Sequence, residues 1–191
     1  MLQHIEKLKN IATAPERLII GLMSGTSLDG LDIALCRITG NGKSATLRCE
    51  EYTTIGYSKE LKSAIQQVFA KQSVSLDSLC LLNAQIGHLH GKMINQALLN
   101  WKVPNDSVDL IASHGQTIYH RPSSLHQIKN QPNSTLQIGD GDHIAASTRI
   151  ITISDFSQKH IDHGGEGAPL AIYGDYLLLS SEQEHRTLLN I

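Results

Sequence analysis

A chain of 191 residues with 40% hydrophobic and 18% charged content is long enough to bury a sizeable core and has the composition of a folded globular protein, which excludes intrinsic disorder. Its 16 basic against 18 acidic residues leave a formal net charge of −2, without the basic footprint that nucleic acid or anionic lipid demands, so a small molecule is the expected partner. Cys36, Cys49 and Cys80 are odd in number, widely spaced and outside any CxxC pattern, so neither a disulfide framework nor a zinc site is indicated, and a reducing cytosol fits.

The charged N-terminus lacks the apolar region of a signal peptide, and no apolar run reaches membrane-spanning length, so neither secretion nor insertion is expected. Leu2, Ile5, Leu8 and Ile11 recur at helical spacing, predicting a short amphipathic helix over residues 1–14 that Pro15 stops. A strand is predicted over residues 17–23. The Asp-Gly of "SLDG" then signals a hairpin turn, and Leu31, Ile33 and Leu35 alternate along a second strand. "GNGK" turns the chain into a third strand over residues 45–55, completing an antiparallel unit. Helices follow. "SKELKSAIQQVFAK" has helical spacing at Leu61, Ile65, Val68 and Phe69, and the longer "SLDSLCLLNAQIGHLHGKMINQALLNW" places Leu79, Leu82, Ile86, Leu89 and Met93 on one face.

"VDLIASHGQT" reads as a buried strand ending in a polar loop, the place where open α/β sheets hold ligands. "SSLHQIKNQPNST" reads as a polar hairpin or surface loop, and "TLQIGDGDHIAASTRIITISDF" as strand, short helix and strand ending at Asp155. "SQKHIDHGGEGAP" reads as a loop ahead of a helix beginning near Pro169. "TLLNI" reads as a strand whose neighbours are missing, the mark expected of a cut chain. No internal repeat is present.

In "MSGTSLDG" the backbone can approach a ligand at Gly25 and Gly30, Thr26 and Ser27 offer hydroxyls, and several N–H groups converge, as in a phosphate cradle. It carries neither the GK[ST] of a Walker A loop nor GxGxxG, and composition alone favours an ordinary polar hairpin. His114 and Gln116 of "SHGQT" suit hydrogen bonds to a polar ligand such as a sugar; a histidine satisfied by backbone at a strand end is the alternative. Asp140 and Asp142 precede a helix, where carboxylates cap free N–H groups. Asp155, at the carboxyl end of an apolar strand, is a candidate general base with a helix cap as its alternative. Gly164, Gly165 and Gly167 permit a tight loop with Glu166 at its tip. No metal site is expected. His88 and His90 stand two apart on a helix and so face different ways, no HExxH occurs, and His160 and His163 lack a matched cysteine or carboxylate set.

Taken in order, "IGLMSGTSLDGLDIAL", "SHGQTIYHRP", "TLQIGDGDHIA" and "ISDF…GGEGAPL" resemble the N-terminal half of the anhydro-N-acetylmuramic acid kinase family, of the actin-like, sugar kinase and Hsp70 superfamily, from about Leu18 to the end. The resemblance implies an α/β, actin-like ATPase (ribonuclease H-like) lobe with a mixed sheet flanked by helices. Residues 1–15 would be a helical extension, 16–168 the lobe, and 169–191 the truncated start of a second lobe. Family enzymes use ATP and water to open 1,6-anhydro-N-acetylmuramic acid and phosphorylate its O6, giving N-acetylmuramic acid 6-phosphate in cell-wall recycling. By position, Gly25, Thr26, Ser27, Leu28, Asp29, Gly30, Leu31 and Asp32 match the loop that binds ATP phosphates with Mg2+. Asp155 matches the catalytic aspartate, and Ser24, His114, Gln116, Gly165 and Glu166 match substrate-side positions. Ser157, His160 and Glu166 stand where the family usually reads arginine, aspartate and glutamine. The resemblance further implies a cytoplasmic enzyme, an anhydro-amino-sugar partner, a homodimer, and an N-terminal half that is inactive alone because closure between lobes completes the site. A non-catalytic lobe that binds sugar or nucleotide is the second reading. An ATP-independent hydrolase acting through Asp155 and Glu166 is the third, and it leaves the phosphate loop without a purpose.

Overall fold

The computed structural model describes residues 2–168, 170–187 and 189. Helix α1 (Leu2–Thr13) ends ahead of Pro15 as predicted, burying Ile11 and leaving Ile5 and Leu8 exposed. Strands β1 (Glu16–Ser24), β2 (Gly30–Thr39) and β3 (Thr46–Gly56) form the expected antiparallel unit. Their period-two pattern sends Ile20, Leu22, Leu31, Ile33 and Leu35 into the core.

Gly30 is set by contact: a Cβ there would lie 2.2 Å from the Ile55 carbonyl oxygen of β3. Backbone cannot swing aside as a side chain can. Gly30→Ala is therefore expected to destabilise the chain by about 3 kcal/mol, read as a fall in the denaturant midpoint; an unchanged midpoint would show that the hairpin opens to admit the methyl group.

Helix α2 (Lys59–Val68) starts where Ser58 Oγ accepts from the Leu61 N–H, and it buries Leu61, Ile65 and Val68. Ser75 caps α3 (Leu76–Trp101) in the same way, and Lys102 ends it in the left-handed conformation. The face of α3 that carries Leu82, Ile86, Ile94, Ala97 and Leu98 is buried in the core.

Strand β4 (Leu110–Arg121) corrects the expectation of a strand that gives way to a loop within "SHGQT". Its first half runs parallel between β1 and β6 (Thr152–Ser154). Its second half turns antiparallel to β5 (Ser134–Ile138), from Gln116↔Ile138 to Arg121↔Ser134. Gly115, at φ +75°, sits where the partners change. A left-handed glycine lets one strand bend and exchange neighbours without leaving the sheet, so a polar stretch stays in strand. The β4–β5 connection is the expected polar surface segment and includes the short helix α4 (Ser123–His126). Helix α5 (Gly141–Thr148) precedes β6, also as expected.

The loop expected after Asp155 is in part a helix, α6 (Phe156–Asp162). It buries Ser157, and Gln158 Nε2 donates to the Thr135 carbonyl of β5. The glycines that suggested a loop begin only after it, at Gly164. Helix α7 (Leu170–Leu179) follows; Pro169, its predicted start, lies outside the described residues. The strand expected over 187–191 also falls largely outside them. The six strands take the order β3-β2-β1-β4-β5, with β6 also on β4, in a mixed sheet with helices packed against it. No described helix is long and apolar enough to cross a membrane.

Candidate active site

β1, β4 and β6 are parallel, and Leu22, Ser113 and Ser154 share one row of the sheet. The chain that leaves β1 beyond Ser24 and the chain that leaves β6 at Asp155 therefore emerge at the same end, on either side of β4, about 10 Å apart by strand spacing. The carboxyl ends of strands in open α/β sheets are where ligands bind.

The loop after β1 is anchored from beneath. Leu28 adopts φ +58° with its side chain buried, and its N–H donates to the Gly25 carbonyl at 3.3 Å. A left-handed leucine is uncommon and persists only where packing imposes it. Leu31 is likewise core, and the Asp32 carboxylate is engaged by the hydroxyls of Tyr52 (2.8 Å) and Thr54 (2.5 Å) on β3. Thr26, Ser27 and Asp29 are exposed. A Cβ on Gly25 would meet only Ser27 Oγ at 3.7 Å, so the space above it is open to a ligand. These features fit a group of phosphates approaching backbone N–H groups and hydroxyls.

Ser24 and Gln116, expected on the substrate side, are 1% and 0% exposed, and they face the interior beneath the loop. Ser24 Oγ donates to Gln116 Oε1 and lies 2.7 Å from Tyr57 Oη, which in turn lies 2.6 Å from His90 Nε2. Gln116 Nε2 donates to the carbonyls of Gly25 (3.1 Å) and Thr117 (3.0 Å). Both residues lie on the core-facing side of their strands, which is why their polar groups are spent within the protein. Burial pushes the Tyr57 hydroxyl up to about 12 and the His90 imidazole down to about 4. Neither Tyr57 nor a structural part for His90 is foreseen from the sequence. The spacing held a signal: Ile86, His90 and Ile94 follow one another at i+4 on the buried stripe of α3.

On the far side of β4, Asp155 lines a cleft of about 250 Å³ with His114, Gln137, Gly139, Asp140 and Ser154. Asp155 is exposed, at φ +63°, in the capping position of α6, yet its side chain makes no capping hydrogen bond. Its carboxylate is thus turned to solvent, and the cap alternative is not realised. Asp140 does act as a cap, its Oδ1 accepting from the Asp142 N–H at 2.8 Å. Asn83 of α3, unforeseen from sequence, accepts from the Gly139 N–H at 2.8 Å and so fixes the cleft wall. His114 is half-buried with Nδ1 3.1 Å from the Gly115 oxygen, and it borders both this cleft and an apolar depression of about 590 Å³ with Met23, Asp32 and Phe156.

Gly165 and Glu166 do not line the Asp155 cleft. Their loop is tied to the β4–β5 connection, where Ser124 Oγ donates to Glu166 Oε1 at 2.9 Å and Asn133 Nδ2 to the Gly165 carbonyl at 2.8 Å. His160 Nδ1 accepts from the Gly167 N–H at 3.0 Å. Among the described residues no group of three or more His, Cys, Asp or Glu is placed to hold a metal ion.

The model of the family described as anhydro-N-acetylmuramic acid kinase matches residues 17–191. The chain belongs to the anhydro-N-acetylmuramic acid kinase family. Its relatives of that name include the protein of Pseudoalteromonas translucida (strain TAC 125), 57% identical over 98% of this chain and 47% of its own length. That of Pseudoalteromonas atlantica (strain T6c / ATCC BAA-1087) is 54% identical over 100% of this chain and 48% of its own. That of Caldanaerobacter subterraneus subsp. tengcongensis is 38% identical over 98% of this chain and 47% of its own. The chain thus spans about half the length of the curated relatives it matches, and the mixed sheet is the actin-like lobe that its motifs led one to expect. Ser157 is buried within α6, whereas Glu166 is exposed in the loop beyond it.

Proposed function

We propose that this chain supplies the phosphate loop and the general base of an ATP-dependent kinase that opens 1,6-anhydro-N-acetylmuramic acid and phosphorylates O6. The reading rests on one observation above all: an exposed carboxylate with no hydrogen-bond partner among the described residues, Asp155, emerges at the same end of the sheet as a loop open over Gly25. Gly25, Thr26 and Ser27 hold the phosphates through N–H groups and hydroxyls. Mg2+ needs only one or two protein carboxylates when phosphates complete its shell, and the exposed Asp29 suits that part. Asp155 takes a proton from the water whose oxygen bonds to the anomeric carbon. The bond from that carbon to O6 breaks, and its electron pair leaves with O6. ATP, when bound, would supply the γ-phosphoryl group that O6 accepts as the bond to the β,γ-bridging oxygen breaks and ADP leaves. His114, at the junction of cleft and depression, orients the sugar. In a chain of the relatives' full length, closure of a second lobe over this site shuts out water. A cytosolic setting agrees with three free cysteines.

The test uses a chain of the relatives' full length carrying this half, incubated with the anhydro sugar and Mg-ATP and read by mass spectrometry. The expected product is heavier than the sugar by one water and one phosphoryl group. An unchanged sugar from a folded, ATP-binding protein overturns the kinase reading in favour of a binding lobe. Ring opening without ATP points instead to a hydrolase.

A further inference from the structure

The four buried polar side chains beneath the loop admit one consistent assignment of protons. Gln116 Nε2 faces two carbonyls, so Oε1 is the atom turned to Ser24, and an amide oxygen only accepts. The single Ser24 proton is therefore committed to Gln116, the Gly30 carbonyl at 3.5 Å being a far longer contact. Ser24 Oγ must then accept from the Tyr57 hydroxyl, because two oxygens 2.7 Å apart with no proton between them would repel. That commits the Tyr57 proton, and the contact of 2.6 Å to His90 Nε2 is bonded only if Nε2 carries the hydrogen. His90 Nδ1 is buried without a partner among the described residues, as a bare acceptor and not as a stranded donor. The tautomer follows from the network.

We infer that His90 and Tyr57 are positioning residues for the phosphate loop, sending a one-way chain of hydrogen bonds from α3 through Ser24 and Gln116 to the carbonyl of Gly25. The same helix fixes the cleft of Asp155 through Asn83. Asn83 and His90 are seven residues apart, about two helical turns. One rigid helix thus gauges the separation between the loop and the general base, and a shift of either would be felt by both. The inference rests on the phosphate-loop reading for its purpose, and on the buried network for its existence.

The experiment is NMR of the isotope-labelled chain with two readouts. Long-range proton–nitrogen correlation of His90 at pH 7 is expected to show hydrogen on Nε2 and none on Nδ1; the opposite tautomer overturns the chain of donors. In Tyr57→Phe, which keeps the ring and deletes the hydroxyl, exchange of the Leu28 amide is expected to quicken about tenfold, as for loss of one buried hydrogen bond. Amides within α3 keep their wild-type rates. Leu28 exchange within twofold of wild type overturns the positioning role. His90→Gln, which retains an N–H donor, is expected to protect Leu28 better than His90→Leu; equal rates in the two also count against it. Titration with inorganic triphosphate separates this inference from the one beneath it. Binding weakened about tenfold by Tyr57→Phe supports both. A wild-type chain that ignores triphosphate while Leu28 responds as expected removes the phosphate reading and upholds the positioning of the loop.

Discussion

Asp155→Asn, in a chain of full length carrying this half, is expected to lower kcat on the order of a thousandfold, the usual contribution of a positioned general base. The substitution isolates that role unusually well. Asp155 sits at φ +63°, where asparagine is as comfortable as aspartate and most other residues are strained. Its carboxylate caps nothing, so the amide that replaces it breaks no hydrogen bond of the fold. Stability should stay within about 0.5 kcal/mol of wild type, and the midpoint of unfolding of the 191-residue chain checks this directly. KM for ATP should hardly move, because the loop proposed to hold the phosphates lies across β4 from Asp155 and, among the described residues, shares no hydrogen bond with it. Asp155→Ala would be a poorer experiment, since it adds backbone strain to the loss of the base. An Asp155→Asn enzyme retaining more than a tenth of wild-type kcat would show that another group takes the proton. Asp140, in the same cleft, would be the first to examine, although its Oδ1 is already occupied by the Asp142 N–H.

The sheet's meander, the long helix and the strand just before Asp155 are legible because each rests on a local signal: period-two or helical spacing, or an Asp-Gly turn. What was not legible depended on partners distant in sequence. "SHGQT" looks like a loop until β5 arrives, some twenty residues later, to pair with its second half; polar residues in a strand are affordable when Ser24 lies across the sheet to bond Gln116. The helix after Asp155 was hidden by the glycines that follow it, which say where the helix stops and nothing of where it starts. Ser24 and Gln116 match family positions on the substrate side, and in the structure both side chains are buried beneath the loop. Motif position identifies which residues belong to a site, but only burial tells whether a side chain touches the ligand or holds the residue that does. His90 was the most instructive case: a histidine on a buried stripe reads as an interruption of the apolar pattern, and its partner Tyr57 is 33 residues away.

That burial makes His90 a source of acid sensitivity in the lobe. Its pKa falls from the ordinary 6.5 to about 4, and burial is the cause. The titratable group facing it is Tyr57, whose rings stack at 6.0 Å and whose hydroxyl, raised to about 12, stays neutral throughout. Protonation would also place an N–H on Nδ1, which has no acceptor within reach. The sign follows from linkage: between these two values the unfolded chain binds the proton and the folded chain does not, so acid favours unfolding. The stability due to neutral His90 is fully present above pH 6.5 and is lost as the pH falls towards 4. At pH 5 the loss is about 2 kcal/mol relative to pH 7. Denaturant unfolding at the two pH values, in wild type and His90→Gln, measures it. The variant starts lower, yet should lose about 2 kcal/mol less on acidification, because glutamine does not titrate and the carboxylates common to both chains cancel in the comparison. Parallel losses in the two proteins would mean that His90 is reached by water and titrates as an ordinary histidine. It could not then be the dry, fixed donor from which the loop beneath Gly25 takes its position.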